Sequence, residues 1–142
     1  MSGTSSYSLK YLFQCDINSI FEALTDVRAI QRYTCQPAKS EPKVGGIYET
    51  FDGSIVGEWK EVSHEKLVLD WKLKNWEAYS TLEISFSKVE EGETFVKVVH
   101  SKIPHYDKFG NAAQDKLAQD GMRNRIFLAI KQRLGLSYDE DD

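Results

Sequence analysis

The chain has 142 residues, of which 41% are hydrophobic and 28% are charged, as in ordinary soluble globular proteins. This length favours a single domain, and no apolar run reaches the roughly 18 residues needed to span a membrane. The 22 acidic side chains outnumber the 18 basic ones, and the four acids from Asp139 to Asp142 account for the net charge of −4. The remainder is neutral, which argues against nucleic-acid binding because that function rests on a basic face.

The N-terminal residues 1–6 are polar and lack the apolar core of a secretory signal, so we expect them to be disordered. Two cysteines are too few for a disulfide framework, and no Asn-x-Ser/Thr glycosylation sequence occurs. These features together predict a cytoplasmic protein.

Alternating apolar residues from Tyr7 onwards predict a half-buried first strand. Two short helices follow, each with apolar residues at helical spacing. Thr25-Asp26 is typical of the start of the second helix, because a side-chain oxygen there can cap free backbone amides. Proline and glycine then recur between Pro37 and Gly46, which predicts a loop.

Five strand-like segments follow that loop. Asp52-Gly53 separates the first two and is typical of a tight hairpin turn. In the third segment, Leu67, Leu69 and Trp71 alternate with polar residues at the period of two expected of a strand. The five predicted segments are 47–51, 54–62, 66–76, 79–89 and 94–103.

Apolar residues at spacings of three and four predict one long final helix that ends at Gly135. Gly121 within it either allows close packing or marks the start of the stable part of the helix. Residues 137–142 are predicted to form a solvated acidic tail. The basic side chains of the helix, which form either a solvated face or a surface for an acidic partner, are Lys116, Arg123, Arg125, Lys131 and Arg133.

This order of elements predicts an α+β helix-grip fold for residues 7–136. In this fold a curved antiparallel sheet of about six strands wraps around the long C-terminal helix, and the two short helices close one end. The side chains predicted to face inward and share one core are Leu69, Trp71, Ile84, Phe86, Val96, Ile126 and Ile130.

No pattern typical of an active site occurs, and we expect no enzyme activity, cofactor or metal ion. The three histidines and two cysteines lack zinc-ligand spacing, and the glycines form no phosphate-binding loop. Asp52 is a turn residue rather than a catalytic carboxylate, since it precedes Gly53. His100 shares the inward phase of Val96 and Val98, and a satisfied core imidazole is favoured over a ligand or a general base.

The tryptophans allow two interpretations. Trp59 and Trp71 pack in the core, which is favoured, or they line a cavity between sheet and helix. Trp76 lies out of phase with Trp71, which predicts an exposed indole that could contact a protein partner. The candidate lining residues of the cavity are Trp59, Trp71, His100, Met122 and Ile126.

Four segments resemble the C-terminal domain of the activator of the ninety-kilodalton heat-shock protein ATPase, a co-chaperone family. They are LTD at 24–26 with YT at 33–34, GGIYETFDGSIVGEW at 45–59, LDWKLKNW at 69–76, and KIP at 102–104 before the final helix. The resemblance runs from about Tyr7 to Leu136. It implies a co-chaperone that binds the N-terminal ATPase domain of the chaperone and stimulates its ATPase by favouring the closed state. We expect this protein to be a monomer.

Two functions compete on this basis. In the co-chaperone, the candidate partner contacts are Trp76, Arg123 and Arg125. The alternative is a binding module or carrier for an apolar small molecule held between sheet and helix, as in the broader superfamily. A hydrolase or cyclase is disfavoured, since no acid–base pair converges. Two-domain members of the family carry a further N-terminal domain for which this chain has no room, so we expect weaker binding than theirs.

Overall fold

The structure, a computed structural model, describes residues 3–141 and shows three helical regions on one open antiparallel sheet. The strands are β1 (Thr4–Phe13), β2 (Lys39–Ser40), β3 (Ile47–Thr50), β4 (Ile55–Val62), β5 (Lys66–Leu73), β6 (Ser80–Glu90), β7 (Glu93–Pro104) and β8 (Tyr138–Asp141). The helices are α1 (Ile17–Thr25), α2 (Val27–Thr34), α3 (Gln114–Gly121) and α4 (Leu128–Leu134). A π-helical segment, Met122–Phe127, joins α3 to α4, and residues 114–134 are called the C-terminal helix below. The predicted α+β fold is confirmed.

The strands lie in the order β2-β3-β4-β5-β6-β7-β1-β8, and all neighbours are antiparallel. Strands β3 to β7 form a chain of hairpins, with the predicted Asp52-Gly53 turn between β3 and β4. Strand β1 lies between β7 and β8, and Tyr7 pairs with His100. The sheet therefore has eight strands rather than about six, and the two extra strands are β2 and β8.

Strand β8 replaces the solvated tail predicted at residues 137–142. Its Tyr138 ring packs against Tyr11 and Phe13, with centroids 4.7 and 4.9 Å apart. Its Glu140 carboxylate lies 3.0 Å from the Arg123 guanidinium. A strand in this position satisfies backbone groups of β1 that would otherwise be free, which a solvated tail could not do.

The N-terminal prediction needs a similar correction. Strand β1 begins at Thr4, and Ser5 pairs with Ile103 of β7, so residues 4–6 are part of the sheet rather than disordered. Their serine and threonine side chains are compatible with an edge position, and the pairing supplies the order. Residues 1, 2 and 142, which belong to the predicted terminal segments, lie outside the described residues.

The core is one cluster shared by the sheet and all three helical regions. It contains the whole inward set predicted from strand and helix periodicity, and each member is buried: Leu69, Trp71, Ile84, Phe86, Val96, Ile126 and Ile130. The period-two and period-3.6 patterns thus placed the core faces of these elements correctly.

The C-terminal helix contains a change of hydrogen-bond pattern at its centre. The backbone N–H of Leu128 donates to the carbonyl of Arg123, five residues earlier, which is the π-helical spacing. Gly121 immediately precedes this segment with ordinary helical angles. A Cβ built on Gly121 meets nothing within 4 Å, so this glycine does not serve close packing.

Candidate functional site

A cavity of about 430 Å³ lies between the C-terminal helix and the ends of β4 and β5. Its apolar wall is formed mainly by Phe51, Ile55, Trp71, Leu73, Met122 and Ile126. Its polar rim is formed by Gln36, Ser54, Asp120, Asn124 and Arg125. The volume falls within the roughly 300–1,000 Å³ of small-molecule sites, and the mixture of apolar wall and few polar groups is typical of them.

Two of the five candidate lining residues do not line this cavity. Trp71, Met122 and Ile126 do, and Arg125, considered only as a partner contact, lies on the rim. Trp59 does not, because its indole packs at 78° against Tyr48 in the core, with centroids 5.4 Å apart.

The other residue outside the lining is His100, which is the centre of a buried hydrogen-bond chain. Its Nδ1 lies 2.9 Å from the Tyr7 hydroxyl, and its Nε2 lies 2.7 Å from Ser80 Oγ. The Ser80 hydroxyl donates to the Trp71 carbonyl at 2.6 Å. Since a hydroxyl has one proton, Ser80 accepts from His100, and His100 Nδ1 accepts from Tyr7. Burial lowers the pKa of His100 to about 3 from its ordinary value of 6.5, so the imidazole is neutral.

This chain of hydrogen bonds crosses four strands. Its members Tyr7, His100, Ser80 and Trp71 belong to β1, β7, β6 and β5 respectively. The Ser80–His100 distance matches that of a nucleophile and its base. Both side chains are buried, however, and the serine proton is already donated to a backbone carbonyl. The arrangement fixes the imidazole tautomer and satisfies buried polar atoms, which is the role of a satisfied core histidine.

The prediction of an exposed Trp76 is wrong, because its indole is 0% exposed. The Trp76 backbone N–H donates to the Leu73 carbonyl at 2.9 Å, and this turn ends the alternation of β5. The indole Nε1 then donates to Gln114 Oε1 at 2.8 Å, at the start of the C-terminal helix. Trp76 therefore joins the sheet to the helix and offers no surface to a partner.

Asp107 joins two loops that lie near Trp76, namely residues 74–79 between β5 and β6 and residues 105–113 between β7 and α3. Its carboxylate accepts from the Asn75 side chain at 2.7 Å and from the Asn111 side chain at 2.9 Å. It also accepts from the backbone N–H groups of Phe109 and Asn111. These bonds, that of the Asn111 side chain foremost, hold the pKa of Asp107 below its ordinary value. The Lys108 N–H donates to the Asn75 carbonyl, which completes the junction.

The two joined loops present aromatic rings and ammonium groups to solvent. Tyr79, Tyr106 and Phe109 are 49%, 51% and 74% exposed. The Lys72 ammonium lies 5.3 Å from the Tyr79 ring centroid. These loops carry two carboxylates, of which Glu77 is exposed and Asp107 is buried. We call these loop residues, together with Lys72 of β5, the aromatic–lysine surface; its members are Lys72, Lys74, Tyr79, Tyr106, Lys108 and Phe109.

The two arginines proposed as partner contacts differ in their surroundings. Arg123 is engaged by Glu140 of β8. Arg125 lies on the cavity rim and makes no ion pair within residues 3–141. Among the residues that the structure describes, no group of three His, Cys, Asp or Glu side chains could hold a metal ion. No helix in the described part of the chain is long and apolar enough to cross a membrane.

Residues 14–134 match the family described as Activator of Hsp90 ATPase homolog 1-like protein. The chain belongs to this family. The match begins just after β1 and ends with the C-terminal helix. It therefore includes the cavity, the aromatic–lysine surface and every residue of the buried hydrogen-bond chain except Tyr7.

Relatives of this Hsp90-activator family share moderate identity with the chain. It is 27% identical over 135 residues to activator of 90 kDa heat shock protein ATPase homolog 1 from Homo sapiens, with 93% of the chain and 38% of the relative aligned. It is 33% identical over 86 residues to homolog 2 from Mus musculus, with 58% of the chain and 26% of the relative aligned. The chain thus spans well under half the length of these relatives.

Two solved structures are similar to this chain to different degrees. The crystal structure of an HSP90 activator from Plasmodium falciparum superposes with a TM-score of 0.92 and 28% identity, over 94% of this chain and 99% of that one. The solution structure of an Aha1 dimer from Colwellia psychrerythraea has a TM-score of 0.65 and 15% identity, over 94% of this chain and 98% of that one. The second likeness shows the fold alone.

Proposed function

We propose that this protein is a co-chaperone that binds the ninety-kilodalton heat-shock protein and stimulates its ATPase. The observation that carries the proposal is the superposition on the Plasmodium falciparum HSP90 activator, which extends over nearly all of both chains at a TM-score of 0.92. The family match over residues 14–134 supports it independently. We further propose that it acts in the cytoplasm and as a monomer.

The proposed mechanism needs no catalytic group from this chain. The protein binds the N-terminal ATPase domains of the chaperone more tightly in their closed, paired state than in the open state. Such a difference in affinity raises the population of the closed state, and turnover rises with that population. A ligand that bound both states equally would leave the ATPase rate unchanged.

The aromatic–lysine surface is the contact that we propose in place of Trp76. Exposed tyrosine and phenylalanine supply large contact areas, and aromatic residues are enriched at the centres of protein interfaces. The surrounding ammonium groups would speed the approach of an acidic partner and orient it. The hydrogen bonds of Asp107 hold the loops in place before binding, which lowers the entropy lost on association. Arg123 and Arg125 remain further proposed contacts.

A coupled ATPase assay with purified chaperone tests the proposal, with a specific ATPase inhibitor to measure background. We expect saturable stimulation by the wild-type protein. Phe109→Ser and Tyr106→Ser should raise the half-maximal concentration by about tenfold each, as interface anchors do. Val89→Ser is the matched control: Val89 is 52% exposed, but it lies at the other end of β6 from Tyr79, about 30 Å away along the strand.

Circular dichroism of each variant separates a lost contact from a lost fold. Stimulation that survives both aromatic substitutions would reject the aromatic–lysine surface and leave the co-chaperone function in place. No stimulation, together with no binding to the isolated ATPase domain at high micromolar concentration, would reject the function itself. Light scattering on the same preparation tests the expected monomer.

A second candidate function is a binding module or carrier for an apolar small molecule. The observation that favours it is the cavity of about 430 Å³ with its apolar wall. Native mass spectrometry of the freshly purified protein tests it, because a retained ligand adds its own mass. A ligand that co-purifies, combined with no effect on the chaperone, would favour this candidate over the first.

A further inference from the structure

Gly121 leaves an opening in the helix wall of the cavity. It lines the cavity, and a Cβ built on it meets nothing within 4 Å. Glycine in a helix is unfavourable by about 1 kcal/mol relative to alanine, and packing does not require it here. The residue therefore costs stability while it keeps space free on the cavity side.

The π-helical segment follows at once and supplies the rest of this wall. Met122, Arg125 and Ile126 belong to it, and all three line the cavity. A π-helical turn changes the angular spacing of side chains, and such turns occur often at functional sites. On the opposite wall, Phe51 has a φ of +51°, a left-handed conformation that is unfavourable for a bulky residue.

The charges on the rim indicate the chemistry of a ligand. Arg125 and Asp120 are the ionisable side chains of the lining, and neither makes an ion pair within the described residues. The guanidinium of Arg125 has a geometry that matches a carboxylate, with two parallel N–H donors. The Asp120 carboxylate would repel a second negative charge, which favours a ligand with a single one.

We propose that the cavity binds an amphipathic molecule with one carboxylate, whose apolar tail lies between Trp71, Met122 and Ile126. Its carboxylate pairs with Arg125 at the rim. The proposal rests on the second candidate function above and names the class of ligand. The chaperone ATPase is measured with ligand-free protein, so the two proposals are tested separately.

Isothermal titration with decanoate and with decanol, both below their aggregation concentrations, tests the proposal. The two probes share a tail and differ in the charged group. We expect decanoate to bind at least tenfold more tightly, because a hydrogen bond to a charged group is stronger than one between neutral groups. Arg125→Gln should remove that difference, and Asp120→Asn should strengthen decanoate binding. Arg123→Gln is the control, since Arg123 lies on the same helix outside the lining.

Gly121→Leu provides the steric test, because its side chain would occupy the opening that the glycine leaves. We expect it to weaken both probes at least tenfold while the protein keeps its circular dichroism spectrum. Equal affinity for the two probes, or a decanoate affinity that Arg125→Gln does not change, would overturn the carboxylate assignment. Binding that Gly121→Leu leaves intact, or no binding of either probe, would overturn the cavity as a site. None of these results bears on the ATPase proposal.

Discussion

His100 makes the stability of this protein sensitive to acid. Its pKa is about 3 in the folded chain and 6.5 when unperturbed, so the unfolded state binds a proton first as the pH falls. The stabilisation is fully present above pH 6.5 and is lost progressively between pH 6.5 and pH 3. Within this window we expect the free energy of unfolding to fall by about 1.4 kcal/mol per pH unit from this group.

Urea denaturation at pH 7, 6, 5 and 4 measures that slope. His100→Gln is the matched variant, because an amide can donate to Ser80 and accept from Tyr7 without gaining a charge. The variant should be less stable than wild type at pH 7 and should lose less stability on acidification. If both proteins show the same slope, the acid sensitivity comes from other groups.

Two glycines that look alike in the sequence should respond in opposite ways to alanine. A Cβ on Gly57 would collide with the backbone carbonyl of Asp70 on the neighbouring strand, whereas Gly121 has free space. We expect Gly57→Ala to cost about 1–3 kcal/mol of unfolding free energy, as overpacking does. Gly121→Ala should add about 0.5–1 kcal/mol through helix propensity. Thermal melts of both variants compare them directly, and a stabilised Gly57→Ala would show that the strands separate easily there.

For single residues, strand periodicity predicted burial correctly within a strand. It gave the wrong result beyond the end of the strand. Trp71 lies within β5, and its inward phase was correct. Trp76 lies three residues beyond β5, where a turn has rotated the chain, so alternation no longer determines which way its side chain points. Its partner Gln114 is 38 residues away, and no local pattern signals such a bond.

Of the two strands that the sequence analysis did not predict, β2 and β8, we expect β8 to contribute more to the stability of the fold. Tyr138 is buried against Tyr11 and Phe13, and Lys131 lies 4.8 Å from its ring centroid. We expect Tyr138→Ala to cost about 3 kcal/mol, in the range for large core residues. Tyr138→Phe should change stability little, because the ring contacts remain.

Glu140→Gln is the control for charge in β8. It removes the ion pair with Arg123 but keeps the strand, and a partly exposed pair contributes less than about 1 kcal/mol. Guanidinium denaturation of the three variants ranks these effects. If the Tyr138→Ala protein is as stable as wild type, the prediction of a solvated C-terminal tail would be supported instead of an ordered β8.

The elements that were predicted are those with a regular apolar period, namely β1, β3 to β7 and the three helical regions. Strand β2 has two residues and lies between Pro37 and Pro42, so it is too short to show any period. In β8 the acids Asp139 and Glu140 resemble a solvated run, and their order depends on Arg123 and on the free edge of β1. The π-helical segment depends on backbone geometry that residue type does not specify.

For the molecule as a whole, the single buried cluster predicts one cooperative unfolding transition. Tryptophan fluorescence and far-ultraviolet circular dichroism should give the same midpoint. Trp71→Ala should lower the free energy of unfolding by about 3–5 kcal/mol without separating the two curves, because Trp71 belongs to the sheet and also lines the cavity beside the C-terminal helix. Two distinct midpoints would mean that the sheet and the C-terminal helix unfold independently.

The position of β1 between β7 and β8 has a consequence for synthesis on the ribosome. Strand β1 is made before the other strands of the sheet, yet His100, the residue of β7 that pairs with Tyr7, follows it by 93 residues. At about 5–20 residues per second, the apolar face of β1 waits about 5–20 s for β7 to be made. The hairpins from β3 to β6 can form in the meantime, because their contacts are local. Strand β1 therefore cannot pair with its neighbour in the sheet until β7 has been made, and until then we expect its apolar face to be exposed.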